Sequence, residues 1–379
     1  MSRICSQNLV ARRIVHMTFR FDEVWVDEEA LEEPLTREVL GRIENARVVT
    51  GPEMDAASSR LLLQPDPFKR GKKILMLTKH KGAFVKPCPG TPEYVCCGLQ
   101  IIHIGQGCPM DCRYCALQVY FNRPVLEVFV NRDDLMNELR GVLDSDRSKF
   151  HRFCTGEFTD SLALDHLTGF ASDLVTFVAD RPNASLELKT KTDFVDPLLD
   201  LDPKGRVVLS FSVNSRRIGR TEEYRATSVS GRIGAAARAQ SAGYRIGFHF
   251  DPIIAMPGWE NEYWETVREI FSAVDPASIA WISLGVLRFV PELKETVSSR
   301  FGPVPYFHDG FLRGRDGKSR LLAERRIAVY RAMADMIRGH ARDARIYLCM
   351  ESPYVWERSL GIRMESDQAL GEYLDNAVR

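Results

Sequence analysis

The chain of 379 residues has no excess of either charge, Lys+Arg and Asp+Glu numbering 51 each. A global basic bias is thereby excluded, and any contact with nucleic acid must come from a local patch. No run approaches the roughly eighteen apolar residues of a membrane span, although hydrophobic residues make up 45% of the chain. No membrane partner is therefore expected. The segment Met1 to Arg13 lacks the apolar stretch of a secretory signal. An even set of spaced cysteines is also missing: there are nine, three of them crowded into one loop. That pattern does not read as a secreted disulfide framework. The expected compartment is the cytoplasm, where thiols stay reduced and an oxygen-sensitive centre survives.

The crowded cysteines form Cys108-Pro109-Met110-Asp111-Cys112-Arg113-Tyr114-Cys115, a C-x₃-C-x₂-C spacing. They follow an apolar run, Leu99 to Ile104, and the turn residues Gly105-Gln106-Gly107. A strand that delivers three thiols into one loop makes a site rather than a core. Tetrahedral zinc wants four ligands, commonly from two C-x₂-C knuckles, and no partner pair follows. Three thiolates on a cubane [4Fe–4S] cluster leave one iron open to a small molecule. The expected metal ligands are therefore Cys108, Cys112 and Cys115. The stretch closely resembles the cluster loop of the radical S-adenosylmethionine (SAM) superfamily, where an aromatic residue precedes the third cysteine as Tyr114 does. That resemblance implies SAM as the ligand of the open iron.

Three regions follow from the pattern. Residues 1–95 read as an N-terminal α/β extension with strands at Phe21 to Val26 and Lys73 to Thr78 and a helix at Leu35 to Ile43. Cys88, Cys96 and Cys97 lie at its end in no familiar cluster spacing and are expected to be buried or lining thiols near the cluster. Cys5 and Cys349 are isolated and read as small hydrophobes. Residues 96–290 alternate apolar, β-branched runs with helical periodicity. Strands are expected at Leu99–Ile104, Phe150–Thr155, Ser185–Thr190, Val207–Val213, Tyr244–Pro252 and Ile279–Leu287. Helices are expected at Asp133–Leu143, from Asp160 or Ser161 to Ala179, Phe194–Leu201, Gly231–Ala242 and Glu260–Val274. Six βα units in series imply a parallel sheet with right-handed crossovers. They are fewer than the eight of a closed TIM barrel. The fold class is α/β, an open (β/α)₆ partial barrel, also the core fold of the superfamily. Residues 291–379 read as a C-terminal extension with helices at Pro291–Arg300 and Leu322–His340 and a strand at Arg345–Met350. Within it Arg313, Arg315, Lys318, Arg320, Arg325 and Arg326 face only Asp316 and Glu324, a candidate phosphate-binding patch.

In a parallel α/β sheet the chemistry sits at the C-terminal strand ends. Cys154-Thr155-Gly156-Glu157 ends the second strand: Gly156 lets a ligand approach the backbone, and Glu157 can accept from the SAM ammonium. Lys191, after the third strand with Lys189, can meet the SAM carboxylate. Ser212, Asn214 and Ser215 end the fourth and can bind ribose and carboxylate. His249, Asp251 and Pro252 end the fifth and line the cavity.

The resemblance narrows further, from about Leu99 to Arg300. Cys108 to Cys115 is followed by Leu117-Gln118. Further on come Asp165-His166-Leu167-Thr168, Thr190-Lys191 with Val195-Asp196, Ser212-Val213-Asn214-Ser215-Arg216, Ala242-Gly243-Tyr244, and Gly258-Trp259-Glu260 with Tyr263. By these phrases the chain resembles the spore photoproduct lyase family of radical SAM proteins. The resemblance implies a lyase for DNA repair that starts with a 5′-deoxyadenosyl radical on a methylene-bridged thymine dimer. It also implies a cysteine that returns hydrogen, with tyrosines relaying it. Cys154 falls near that cysteine and Tyr114 matches one tyrosine, so both are candidate catalytic residues. The residue after the third cysteine, a tyrosine in the lyases, is here Ala116. The implied partners are damaged DNA and an electron donor such as flavodoxin or ferredoxin. The rival readings are a radical SAM reaction on a nucleoside, peptide or small metabolite, and a non-enzymatic metal-containing nucleic-acid-binding protein.

Overall fold

The computed structural model describes residues 19–91 and 94–379; Met1 to Arg13 and Cys5 lie outside the described residues. The six strands expected of the barrel are Gln100–Ile102, His151–Cys154, Ala184–Thr190, Val207–Ser212, Arg245–Ile253 and Ile279–Val286. They lie side by side in chain order and all pair in parallel. A seventh parallel strand, Ile346–Leu348 from the C-terminal region, joins the edge of Ile279–Val286. At the other edge Val85–Pro87 pairs antiparallel with Gln100–Ile102. The sheet curls without closing, its two outer strands having no common partner.

Strand alternation explains the curl's two faces. Leu186 and Leu188 turn outward beneath the helices, while Ser185, Glu187 and Lys189 turn into the lumen. The helices bury one stripe each: Trp259–Ala273 presents Tyr263, Thr266, Val267 and Ile270 to the sheet, a spacing of three and four residues. The helix expected between Asp160 and Ala179 is broken. Asp160 accepts from the Leu162 and Ala163 amides at 3.0 and 2.9 Å, which shapes a loop. Helix Asp165–Thr168 then ends at Gly169, whose φ of 69° starts Phe170–Ala179 afresh. Phe194–Leu201 shrinks to one 3₁₀ turn, Asp196–Leu198, because Pro197 and the acidic residues around it favour a turn.

A second, smaller sheet uses the N-terminal strands Arg47–Thr50, Glu23–Val26 and Ile74–Thr78. It is completed from either side of the cysteine loop, by Leu126–Phe129 in parallel and by Gly105–Gln106 antiparallel to that. The cysteine loop therefore leaves and rejoins the small sheet, and between the two it forms a two-stranded ladder of its own, Asp111–Cys112 pairing antiparallel with Glu223–Tyr224.

Candidate active site

The cysteine loop hangs over the C-terminal ends of the barrel strands. Lys72, from the small sheet's side, donates to the carbonyls of Cys108 and Met110 at 2.8 and 2.7 Å. Arg300 makes a fork onto Asp111, 3.1 Å to each oxygen. On the barrel side Tyr114 donates to Glu223, and Glu223 is paired with Arg232; all three are buried. Burial alone would raise the Glu223 carboxyl, but Arg232 and Lys191 outweigh it and hold it low. These contacts hold the loop at both ends by charge-assisted bonds.

Beneath the loop is an inner chamber of about 240 Å³. All three loop thiols, Cys108, Cys112 and Cys115, line it, opposite Gly156, Glu157, Asp160, Lys191, Ser212 and His249. Gly156 has a steric reason. A Cβ there would lie 2.7 Å from the Lys189 Cβ and 3.0 Å from its carbonyl oxygen. Asp160 joins two strand ends, accepting from the Thr190 hydroxyl and the Lys191 amide at 2.7 Å each. Below, the Glu187 Oε1 takes bonds from Ser210, Trp281 and His249 at 2.5, 2.9 and 2.8 Å. Burial would push this carboxyl up, yet His249, Lys189 and Ser210 bring it down to about 2. It is thus a fixed anion that orients His249 toward the chamber.

An outer chamber of about 270 Å³ continues past Tyr114, Cys115, Glu157, Lys191 and Asp251, which line both. Its far wall carries Arg288 and Lys318, with Tyr120 and Phe158 near the loop. Arg288 grips Asp251 in a fork of 3.3 and 3.0 Å. Gly285 makes room for it, since a Cβ there would strike the Asp251 carboxyl at 2.5 Å. The arrangement is a three-thiol chamber opening into a pocket lined by Lys191, Arg288 and Lys318 together with Glu157 and Asp251.

The chain has known relatives. A profile of the spore photoproduct lyase family matches residues 19–302. The chain belongs to the spore photoproduct lyase family. The lyase of a Geobacillus species (strain Y412MC61) is 30% identical over 203 residues, 53% of this chain and 60% of that protein. The aligned stretch thus spans less than two thirds of that relative. The lyase of Bacillus subtilis (strain 168) is 26% identical over 262 residues, 67% and 72% of the two chains. Among solved structures, a mutant spore photoproduct lyase with AdoMet and the dinucleoside spore photoproduct bound superposes with a TM-score of 0.77. It is 24% identical, covering 87% of this chain and 99% of that one.

Membership in the spore photoproduct lyase family brings a [4Fe–4S] cluster and SAM as cofactors, and the inner chamber fits them. Its donor set is three thiols with no fourth, and its rim offers a carboxylate, a lysine and a hydroxyl. Burial pushes the Cys108 thiol up to about 12; a bound metal deprotonates such a thiol outright. Of the other expected residues, Tyr114, Gly156, Glu157, Lys191 and Ser212 line the chambers. Three do not. Asn214 is buried away from them, donating to the Pro252 carbonyl at 3.0 Å and accepting from Tyr263. Ser215 caps helix Arg216–Thr221 through the Ile218 amide at 3.2 Å. The strand ends at Ser212, and the chain beyond it turns outward to reach the cap at Ser215. Cys154 is fully buried beside Lys189 and the Gly156 amide and lines neither chamber. The inward bend that makes Gly156 and Glu157 line the wall leaves the thiol behind it.

The expected basic patch also divides. Arg320 is buried on Asp316 at 2.6 Å and Arg326 on Glu351 at 2.8 Å. Lys318 turns into the outer chamber, and Arg313 and Arg315 remain exposed. Cys88 and Cys96 line a separate pocket of about 590 Å³ on the edge-strand side, with no residue in common with the inner chamber. Cys349, read as an ordinary hydrophobe, sits 3.4 Å from the Arg288 guanidinium. Sequence reasoning passed over Glu187, Asp160 as a wall residue, Arg288 and Tyr120. The signal for Glu187 was its place between Ser185 and Lys189, a polar alternation inside an apolar strand. Among the described residues no helix is long and apolar enough to cross a membrane.

Proposed function

We propose that the protein is a cytoplasmic radical SAM lyase that reverses a thymine-dimer-type lesion in DNA, a reading supported by relatives named spore photoproduct lyase. The observation that carries the reading is the pair of joined chambers, one with three thiols, the other with cations suited to a nucleotide phosphate. Cys108, Cys112 and Cys115 would hold the cluster, and Glu157, Lys191 and Ser212 the polar end of SAM. The bound pair supplies a 5′-deoxyadenosyl radical after one-electron reduction by an external donor. The chain's own work is to orient and shield. His249, held by Glu187, keeps a donor or acceptor aimed at the cofactor chamber. Arg288, held by Asp251, and Lys318 position an anionic substrate group in the outer chamber. Tyr114 lies between the chambers with its hydroxyl proton directed to Glu223.

The test is anaerobic reconstitution with iron, sulfide, SAM and dithionite, with and without ultraviolet-irradiated spore-type DNA. It reads 5′-deoxyadenosine and restored thymine. SAM cleavage that DNA does not stimulate, with no thymine restored, would refute the lesion and point to a metabolite. In the same assay, charge reversal at both Arg313 and Arg315 would lower the salt slope of DNA binding by about two, at ~0.9 per phosphate contact.

A further inference from the structure

The inner chamber is filled, on the reading above, by cofactor and then substrate, so an electron cannot enter from that side. The cysteine loop has a second face. A groove of about 810 Å³ runs along it, floored by Asp111 and walled by Lys69, Lys72, Lys73, Arg225 and Arg300. It shares no lining residue with either chamber. Only the loop backbone separates groove from thiols, since the Lys72 ammonium in the groove wall already holds the Cys108 and Met110 carbonyls.

The charges of the groove do not cancel. Arg70 is matched by Asp22, and Arg300 by Asp66 and Asp111. Lys69, Lys73 and Arg225 remain in surplus over the three acids that line the groove. Beside it, Leu62 and Leu63 are exposed, Leu63 by 85%, next to the lining residues Gln64 and Pro65; Tyr224 is exposed on the opposite wall. A basic groove with apolar residues at its rim suits a protein surface better than a phosphate backbone, which has no use for the leucines.

We propose that this groove docks an acidic one-electron carrier protein and passes its electron through the 108–112 segment to the cluster. The assignment rests on the cluster reading above. Opposite charge would steer the encounter and make it sensitive to salt. Lys69 and Lys73 are outside the cofactor and substrate machinery, which makes them the residues to change.

The experiment uses the reconstituted full chain and measures SAM cleavage driven either by dithionite or by a reduced flavodoxin as the probe. The Lys69→Glu/Lys73→Glu variant should slow the flavodoxin-driven rate about tenfold, within the range of electrostatic steering. Dithionite-driven cleavage should stay within about twofold of the unaltered protein. The milder Lys69→Gln/Lys73→Gln pair should fall between. An unchanged flavodoxin rate in both variants would overturn the proposal. So would an equal loss in both arms, or undamaged DNA that displaces the probe and binds more weakly to the variants. Failure of dithionite to drive SAM cleavage in the unaltered protein would instead refute the cluster reading itself.

Discussion

Replacing Arg232 by Met removes the cation from the most enclosed ion pair of the site. The Arg232 and Glu223 side chains are 0% and 1% exposed. Arg232 also donates to the Thr227 and Ser212 carbonyls, at 2.7 Å each. The variant leaves Glu223 as an uncompensated buried carboxylate and two carbonyls without their donor. Breaking a buried pair from one side costs about 3–5 kcal/mol, against a total stability of roughly 5–15 kcal/mol. The sign of the pH dependence follows from Glu223. In the parent its carboxyl is held low, so its contribution is present above the ordinary carboxylate range and is lost only as pH falls through the depressed value. Without Arg232 the largest opposing charge is gone, only Lys191 and the Tyr114 hydroxyl still work against burial, and the carboxyl rises. The variant should then be most stable at low pH and lose stability as pH rises through the raised value, while the parent stays level from pH 6 to 8. Anaerobic urea denaturation of the cluster-loaded protein at both pH values measures this, with iron content as a second readout, because Glu223 pairs through its strand with Cys112. A loss under about 1 kcal/mol, the same at both pH values, would refute the reasoning, being no larger than an exposed pair. The double variant Arg232→Met/Glu223→Gln should recover part of the loss, since no buried charge remains.

Three further outcomes are expected. Alanine at Cys108, Cys112 or Cys115 should abolish SAM cleavage and the iron chromophore, whereas alanine at Cys96 or Cys97 should keep most of the chromophore; iron analysis and absorption spectra decide. Gly156→Ala should weaken SAM binding about tenfold or more, about 1.4 kcal/mol, because the added methyl meets strand backbone, with iron content unchanged; equal SAM affinity by calorimetry would show that the strand end yields. Cys154→Ala should keep both SAM cleavage and the parent's product pattern, since the thiol lies behind the chamber wall. If the parent takes deuterium from heavy water into its product and the variant does not, by mass spectrometry, the thiol belongs to the reaction after all.

The barrel was legible because its signal is local. Each strand from Ile101 to Val286 is a short apolar run between turn residues, and the order of runs dictates a parallel sheet. The three ligand cysteines were legible for the same reason, their spacing being contiguous. What could not be read depends on direction at a strand end. Ser212 and Asn214 are two residues apart, yet one faces the chamber and the other the Pro252 carbonyl and Tyr263, because the strand stops between them. Cys154 and Glu157 part company at the bend through Gly156. Pairings across long separations were equally hidden: nothing in Leu126–Phe129 itself says that it leaves the barrel's span to pair with Ile74–Thr78, or that Ile346–Leu348 returns to Ile279–Val286. The basic run at 313–326 looked uniform, but Arg320 and Arg326 turned inward onto Asp316 and Glu351.

The loop flanked on both sides by strands of the small sheet makes that sheet a scaffold for the metal rather than an appendage. Trimming the chain to its barrel would strip Leu126–Phe129 of its parallel partner Ile74–Thr78 and free Lys72 from the Cys108 carbonyl. An exposed strand edge would then stand in the same segment as three unligated thiols, an arrangement prone to aggregation and to oxidation. A shortened protein that still took up its iron would need another support for that edge, so the catalytic barrel and its leading sheet are inherited, engineered or lost together.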